Sequence, residues 1–366
     1  MKERLLALDA MRGYTIAAMI LVSTPATWEY VYIPVTHANW NNTTPTDLIF
    51  PFFIFMVGIS IAISLGGRKI NGILPQTQYP KIVLRFVKIM GVGILLNMFP
   101  SFDFLNYGWS GVGYTGVLAR ISIVYLVCAL LFLHTNWRKQ LLVGAFILVG
   151  YWLCMYLIPV PGTVVGVLEP GQNVAHWIDS YVLSLNQGQW VPEGFFSTFP
   201  AIVTGILGML SGTLLTSSRN ISDKVIWLFF LGFTNFLIGS IWSWQFPLNK
   251  NIWSSSFVLY SGGLAMLTLA ASMFVIDHLG YKKGTKMGIV FGSNAITMYV
   301  LFHILHPVFL DWKLIDGQST SQWFFSSSIY FGVEPKLASL LYAILYTVIC
   351  YIPAYWMYKR KIFIKL

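Results

Sequence analysis

Ten apolar runs, each close to the length of a membrane-spanning helix, begin near Gly13, Leu48, Ile82, Tyr114, Leu141, Ser197, Val225, Ser254, Met287 and Leu337. A helix needs about 20 such residues to cross the hydrocarbon core. Within lipid every backbone N–H and C=O must find its partner inside the protein, so runs of this length dictate helices and little else. The expected fold is all-α, a polytopic membrane bundle of about ten transmembrane helices. It forms one domain over 1–366 and leaves no room for a separate soluble unit. Only 10% of the 366 residues are charged, against roughly 25% in soluble domains. Cys128, Cys154 and Cys350 all sit in apolar runs and read as small hydrophobes, not as a disulfide or metal framework. The chain start has charges but no small-residue cleavage site before the first apolar run, so that run reads as a retained helix.

The net charge of +10 would suggest nucleic acid in a soluble chain. Here its distribution reports orientation instead. Lys2, Arg4 and Arg12 precede the first run, and Arg68, Lys69, Lys81, Arg85 and Lys88 follow the second. Arg138, Lys139, Arg219, Lys224, Lys282, Lys283, Lys286, Lys359, Arg360, Lys361 and Lys365 occupy the alternate connections after that. Nineteen of the 23 bases thus fall on one side with four of the 13 acids, and nine acids fall on the other with Lys250, Lys313 and Lys336. Because cytoplasmic loops collect Lys and Arg, both termini are expected in the cytoplasm. The connections on the opposite side are longer. Those from Pro159 to Phe196 and from Pro307 to Pro335 carry Trp177, Tyr181, Trp190, Trp323 and Tyr330, and such aromatic content argues for order. An interfacial aromatic belt is the alternative reading of any one of them.

The densest polar cluster is the first outer loop, Thr36-His37-Ala38-Asn39-Trp40-Asn41-Asn42-Thr43-Thr44-Pro45-Thr46-Asp47. Thr44, Pro45 and Asp47 have the spacing of an N-cap, a first helical proline and a capping acid, so Asp47 can be explained by the helix start alone. Histidine is the side chain suited to proton transfer near neutrality, so His37 can act as a general base beside asparagines able to orient it; it can equally be a histidine bonded to its own loop. No second His or Cys lies at metal-ligand spacing from it. Arg12 reads either as a phosphate contact or as one more inner charge paired with Asp9. Arg120 falls about two turns into the fourth run, where a charge is costly unless it faces partners or a polar cavity. Asn294 is expected mid-helix, bonding a neighbouring helix, and His303 and His306 are not assigned.

These residues carry a family resemblance. Leu8-Asp9 with Arg12-Gly13, His37-Ala38 with Trp40-Asn41, and Thr46-Asp47-Leu48-Ile49-Phe50-Pro51-Phe52-Phe53 with Val57-Gly58 resemble the bacterial relatives of heparan-α-glucosaminide N-acetyltransferase. Gly116-Val117-Leu118-Ala119-Arg120-Ile121, Pro192-Glu193-Gly194-Phe195-Phe196-Ser197-Thr198, Asn249-Lys250-Asn251-Ile252-Trp253-Ser254-Ser255-Ser256 and Asn294-Ala295 through Tyr299 resemble four further family motifs in the same order. The resemblance implies a transmembrane acyltransferase of the bacterial inner membrane: acetyl-CoA reaches it from the cytoplasm, and an amino sugar of glucosamine type receives the acetyl group outside.

By that resemblance His37 is the catalytic histidine. It acts as a base or through an acetyl-histidine, with Asp47 holding its imidazole and Ser23 standing where the family has an asparagine near the reacting carbonyl. Arg12, Arg85, Lys88, Arg120, Lys286 and Asn294 are the candidates for holding CoA. Trp40, Asn41 and Glu193 are the candidates for the acceptor. The resemblance also implies a homodimer, while the spacing around His37 argues against a metal and the sorted charge against nucleic acid. Ala119, Asn42 and Val191 stand where the family has Gln, Gly and Asp, so the acceptor stays open. Two other classes fit the same helices: a secondary transporter, which should show paired broken helices and ionisable groups near the midplane, and a silent CoA-binding relative.

Overall fold

A computed structural model describes residues 5–67, 76–100, 115–183, 190–315 and 317–364. Lys2, Glu3, Arg4, Arg68, Lys69, Asp103, Asp316 and Lys365, counted above in the charge distribution, and Tyr114, the start of the fourth run, lie outside the described residues. The chain is helical. Its helices are α1 (Leu6–Ser23), α2 (Ile49–Gly66), α3 (Tyr79–Met98), α4 (Val117–His134), α5 (Trp137–Leu157), α6 (Val174–Val182) and α7 (Thr198–Thr216). They are followed by α8 (Ile221–Trp242), α9 (Ser255–Met273), α10 (Thr285–Ser293), α11 (Ala295–Leu310), α12 (Thr320–Tyr330) and α13 (Pro335–Lys359). A small antiparallel hairpin, β1 (Lys313–Ile315) with β2 (Gln318–Ser319), precedes α12.

Among the described residues, eight helices are long and apolar enough to cross a membrane, and the bent pair α10–α11 makes up to nine. The remaining apolar run is α3. It has 20 residues, but Lys81, Arg85 and Lys88 place three charges along one helix. The expectation of an all-α polytopic membrane protein is met. The two long connections are ordered where described, one by α6 and the other by the hairpin and α12.

Helix starts follow local chemistry. Asn136, Asn173 and Asn220 cap α5, α6 and α8 by accepting hydrogen bonds from the backbone N–H of Lys139, His176 and Asp223 at 3.0, 3.0 and 2.8 Å. Each bond satisfies a donor that the first turn leaves unpaired. Packing between helices relies on small residues. A β-carbon at Gly13 would stand 1.6 Å from the Gly288 carbonyl oxygen, and one at Gly58 would stand 2.0 Å from that of Gly205. In a bilayer, where lipid is as apolar as leucine, such backbone approach is a principal source of helix association. It locks α1 onto α10 and α2 onto α7. Helix α7, with 78% of its spanning window buried, is central, whereas α8, with 17%, is peripheral and offers its apolar surface to lipid.

One expectation is corrected. The run beginning near Met287 is two helices bent by 81° at Asn294, which has φ −133° and ψ 43°. The Asn294 side chain bonds no neighbouring helix. Its Nδ2 donates to the Ile362 carbonyl and its Oδ1 accepts from the Ile364 N–H, both at 2.9 Å. The amide thus pairs one carbonyl and one N–H of the non-helical tail, which would otherwise lack helical partners.

Candidate active site

A cavity of about 630 Å³ runs through the bundle, walled by α1, α2, α3, α4, α10 and α11. Both Arg12 and Ser23 of α1 line it, as do Thr46 and Ser60 before and within α2. At 1.5 Å per residue these pairs span about 16 and about 21 Å. The cavity therefore covers much of the roughly 30 Å hydrocarbon thickness. Its two ends differ in chemistry. Arg12, Arg85 and Asn294 line one end, and His37, Glu193 and Lys250 the other.

The His37 end is built on the start of α2. Thr44, Pro45 and Asp47 form the capping box read from the sequence. One carboxylate oxygen of Asp47, Oδ2, accepts from the backbone N–H of Thr44 and Ala38, each at 3.0 Å. The other, Oδ1, lies 2.7 Å from His37 Nδ1. Capping and holding the imidazole are thus one arrangement, with an oxygen for each. An ionised carboxylate only accepts, so Nδ1 carries a proton, and in the neutral imidazole the lone pair is then on Nε2. Asp47 is 2% exposed, whereas His37 keeps 53% of its side-chain surface exposed.

Lys250 completes this group. Its Nζ lies 3.7 Å from Asp47 Oδ1 and 3.2 and 3.5 Å from the two His37 ring nitrogens. Burial pulls its pKa below the usual lysine value, while the carboxylates of Asp47 and Glu193 oppose that shift. The turn carrying it is over-determined. Asn249 Oδ1 accepts from the N–H of Asn251 and Ile252 at 2.8 and 3.1 Å, and Ser254 Oγ accepts from Asn249 N–H at 3.1 Å. Trp253 is fully buried with φ +52°, a left-handed conformation uncommon for a bulky side chain. Sequence reading counted Lys250 only as an outer charge, although the Asn249-Lys250 motif contained it.

Arg120 does not line the cavity. Its guanidinium donates through Nη2 to the carbonyls of Pro192 and Gly194 at 3.3 and 3.1 Å and to Ser197 Oγ. It lies over the Trp253 ring at 5.0 Å. From the other side, Asp179 Oδ1 of α6 accepts from Phe196 N–H at 2.8 Å. Arg120 and Asp179 together clamp the turn that presents Glu193 to the cavity.

The remaining candidates divide. Arg12 donates to Ser60 Oγ at 3.1 Å and pairs with Asp9 at 3.5 Å. Arg85 stacks over Tyr125 at 4.9 Å, and its buried Nε has no hydrogen-bond partner among the described residues. Lys88 and Lys286 are exposed and line no part of the cavity; Lys286 lies over Tyr355. Trp40 and Asn41 also stand outside it. Trp40 donates through Nε1 to the Leu168 carbonyl at 3.1 Å and packs edge-on against His176 and Trp190, and Asn41 accepts from Asn249 Nδ2 at 3.3 Å. Tyr299 and His303, unassigned from sequence, line the cavity as well.

The comparisons with known proteins agree on one family. A family model described as heparan-α-glucosaminide N-acetyltransferase, catalytic, matches residues 4–238. The chain is 27% identical to human heparan-α-glucosaminide N-acetyltransferase over 99% of its own length and 60% of that protein's. It is 26% identical to the mouse protein of the same name over 100% of its own length and 61% of that protein's. The chain therefore spans about three-fifths of the length of these relatives.

Proposed function

We propose a membrane-embedded acetyltransferase that works across the bilayer, from the premise that this chain belongs to the heparan-α-glucosaminide N-acetyltransferase catalytic family. The observation that carries the reading is the continuous cavity, with arginines at one end and an Asp47-held histidine at the other. Acetyl-CoA is the donor and enters at the Arg12 end. The orphaned Nε of Arg85 and the guanidinium of Arg12 fit the phosphates of CoA, and the apolar bore beyond them fits its long pantetheine arm. Asn294 belongs to the wall of that end, its amide already used by the tail. The acceptor is an amino sugar of glucosamine type that approaches His37, with the Glu193 carboxylate offered to its amine or hydroxyls. The basic side faces the cytoplasm of a bacterial inner membrane.

In the direct route, His37 Nε2 removes a proton from the acceptor amine as the nitrogen attacks the thioester carbonyl. The C–N bond forms, the carbonyl electrons move to oxygen, and their return expels the CoA thiolate. That thiolate takes the proton back from His37. Asp47 stabilises the imidazolium between the two transfers. The same geometry serves a two-step route through acetyl-His37.

The test is acetyl transfer from acetyl-CoA to glucosamine by the purified protein in lipid nanodiscs, read as thiol release and as acetylated sugar. Wild type should turn over, and His37→Ala should lose at least about 10²-fold. CoA binding without transfer to any amine or hydroxyl would establish the silent relative instead. Failure to bind CoA would remove both.

A further inference from the structure

Lys250 is the one cavity-lining ammonium at the His37 end. It comes from a turn more than 200 residues beyond His37 in sequence, and that turn is fixed by Asn249, Ser254 and the buried Trp253. Its Nζ is 3.5 Å from Nε2, the ring atom that bears the lone pair in the neutral imidazole. A carbonyl carbon attacked beside Nε2 places its oxygen within reach of Nζ. Among the described residues Arg120 cannot serve there, because its Nη2 is spent on the 192–197 turn and it does not line the cavity. Ser23, at the end of α1, lines the same wall with a hydroxyl only.

We infer that Lys250 is the oxyanion donor of the transfer, its ammonium donating a hydrogen bond to the thioester oxygen as the tetrahedral intermediate forms. The inference rests on the acetyltransferase reading. No proton leaves Lys250: the amine proton passes to His37 and then to the departing thiolate, and Lys250 holds the negative charge between those events. Preorganised donors in a site sheltered from water supply such stabilisation without reorganisation. The groups facing Nζ are His37 and Asp47 from the loop before α2, Glu193 from the turn before α7, and Arg120 from α4. Asp47 and Glu193 favour the ammonium form while burial opposes it. Rate should therefore fall at alkaline pH as Lys250 loses its proton.

The experiment compares wild type, Lys250→Met and Lys250→Arg in nanodiscs, measuring thiol release, acetylated glucosamine and CoA binding. Lys250→Met should lower kcat by about 10² to 10³-fold while the CoA Kd and both KM values stay within a few-fold. Lys250→Arg should recover part of kcat and move the alkaline limb upward, since guanidinium stays protonated above pH 12. A kcat for Lys250→Met within threefold of wild type overturns the inference and leaves the function intact, as does a loss confined to KM. Should Lys250→Met fail to bind CoA, Lys250→Arg decides alone, and an unmoved alkaline limb overturns the inference. A wild type that binds CoA but transfers nothing overturns the function itself, and the inference with it.

Discussion

Asp47 holds a helix start with one oxygen and a histidine with the other, so its substitution tests two roles at once. Asp47→Asn keeps an acceptor for the cap but removes the anion facing His37. Turnover should fall by about 10² to 10⁴-fold with little change in CoA affinity, as read by titration calorimetry beside the transfer assay. The sequence showed Asp47 and His37 as neighbours in a polar cluster and left capping and catalysis as rivals, because spacing alone does not reveal that a carboxylate has two oxygens to spend. Arg120 shows the opposite case. Its depth in the fourth apolar run was legible, whereas its direction was not, since its partners lie 72 to 77 residues further along. Asn42, noted where the family has glycine, has φ +73°, and asparagine is among the few side chains that enter that region readily.

Between helices the decisive residues are the smallest. Gly58→Val would drive a side chain into the backbone of α7, and the pair cannot separate without opening the core around α2. The expected loss is about 3 kcal/mol, measured as reduced thermal stability in detergent, with aggregation at moderate temperature. Apolar length foretold the helices, but not the break at Asn294, because hydropathy reads the same across a bent pair as across a straight span. The bend depends on the tail, whose carbonyl and N–H meet one amide. Asn294→Ala should remove about 2 kcal/mol of such bonding and speed hydrogen exchange at Ile364. Exchange no faster than in wild type would show that packing alone retains the tail. The broken pair is also a feature sought in transporters, yet here its inner surface walls the same cavity that His37 lines.

On the scale of the whole molecule, acid should loosen the connection that carries α6 before the bundle. Burial lowers the pKa of His176 to about 4, while an unfolded histidine titrates near 6.5. The unfolded connection then binds more protons between these values, so stability is complete above about pH 6.5 and is lost as pH falls toward 4. Faster hydrogen exchange over 171–183 across that window, absent in His176→Phe, is the expected result. The arginine end and the histidine end each gather residues far apart in sequence, and only the folded chain joins the two through one bore. Arg12 at one end keeps 26% of its side chain exposed, and His37 at the other 53%. Two compounds entering such a bore from opposite sides obstruct each other only where they meet. For the proposed transfer, an inhibitor shaped like CoA and one shaped like the sugar would therefore be tolerated together, while a single molecule long enough to fill both halves would exclude either substrate.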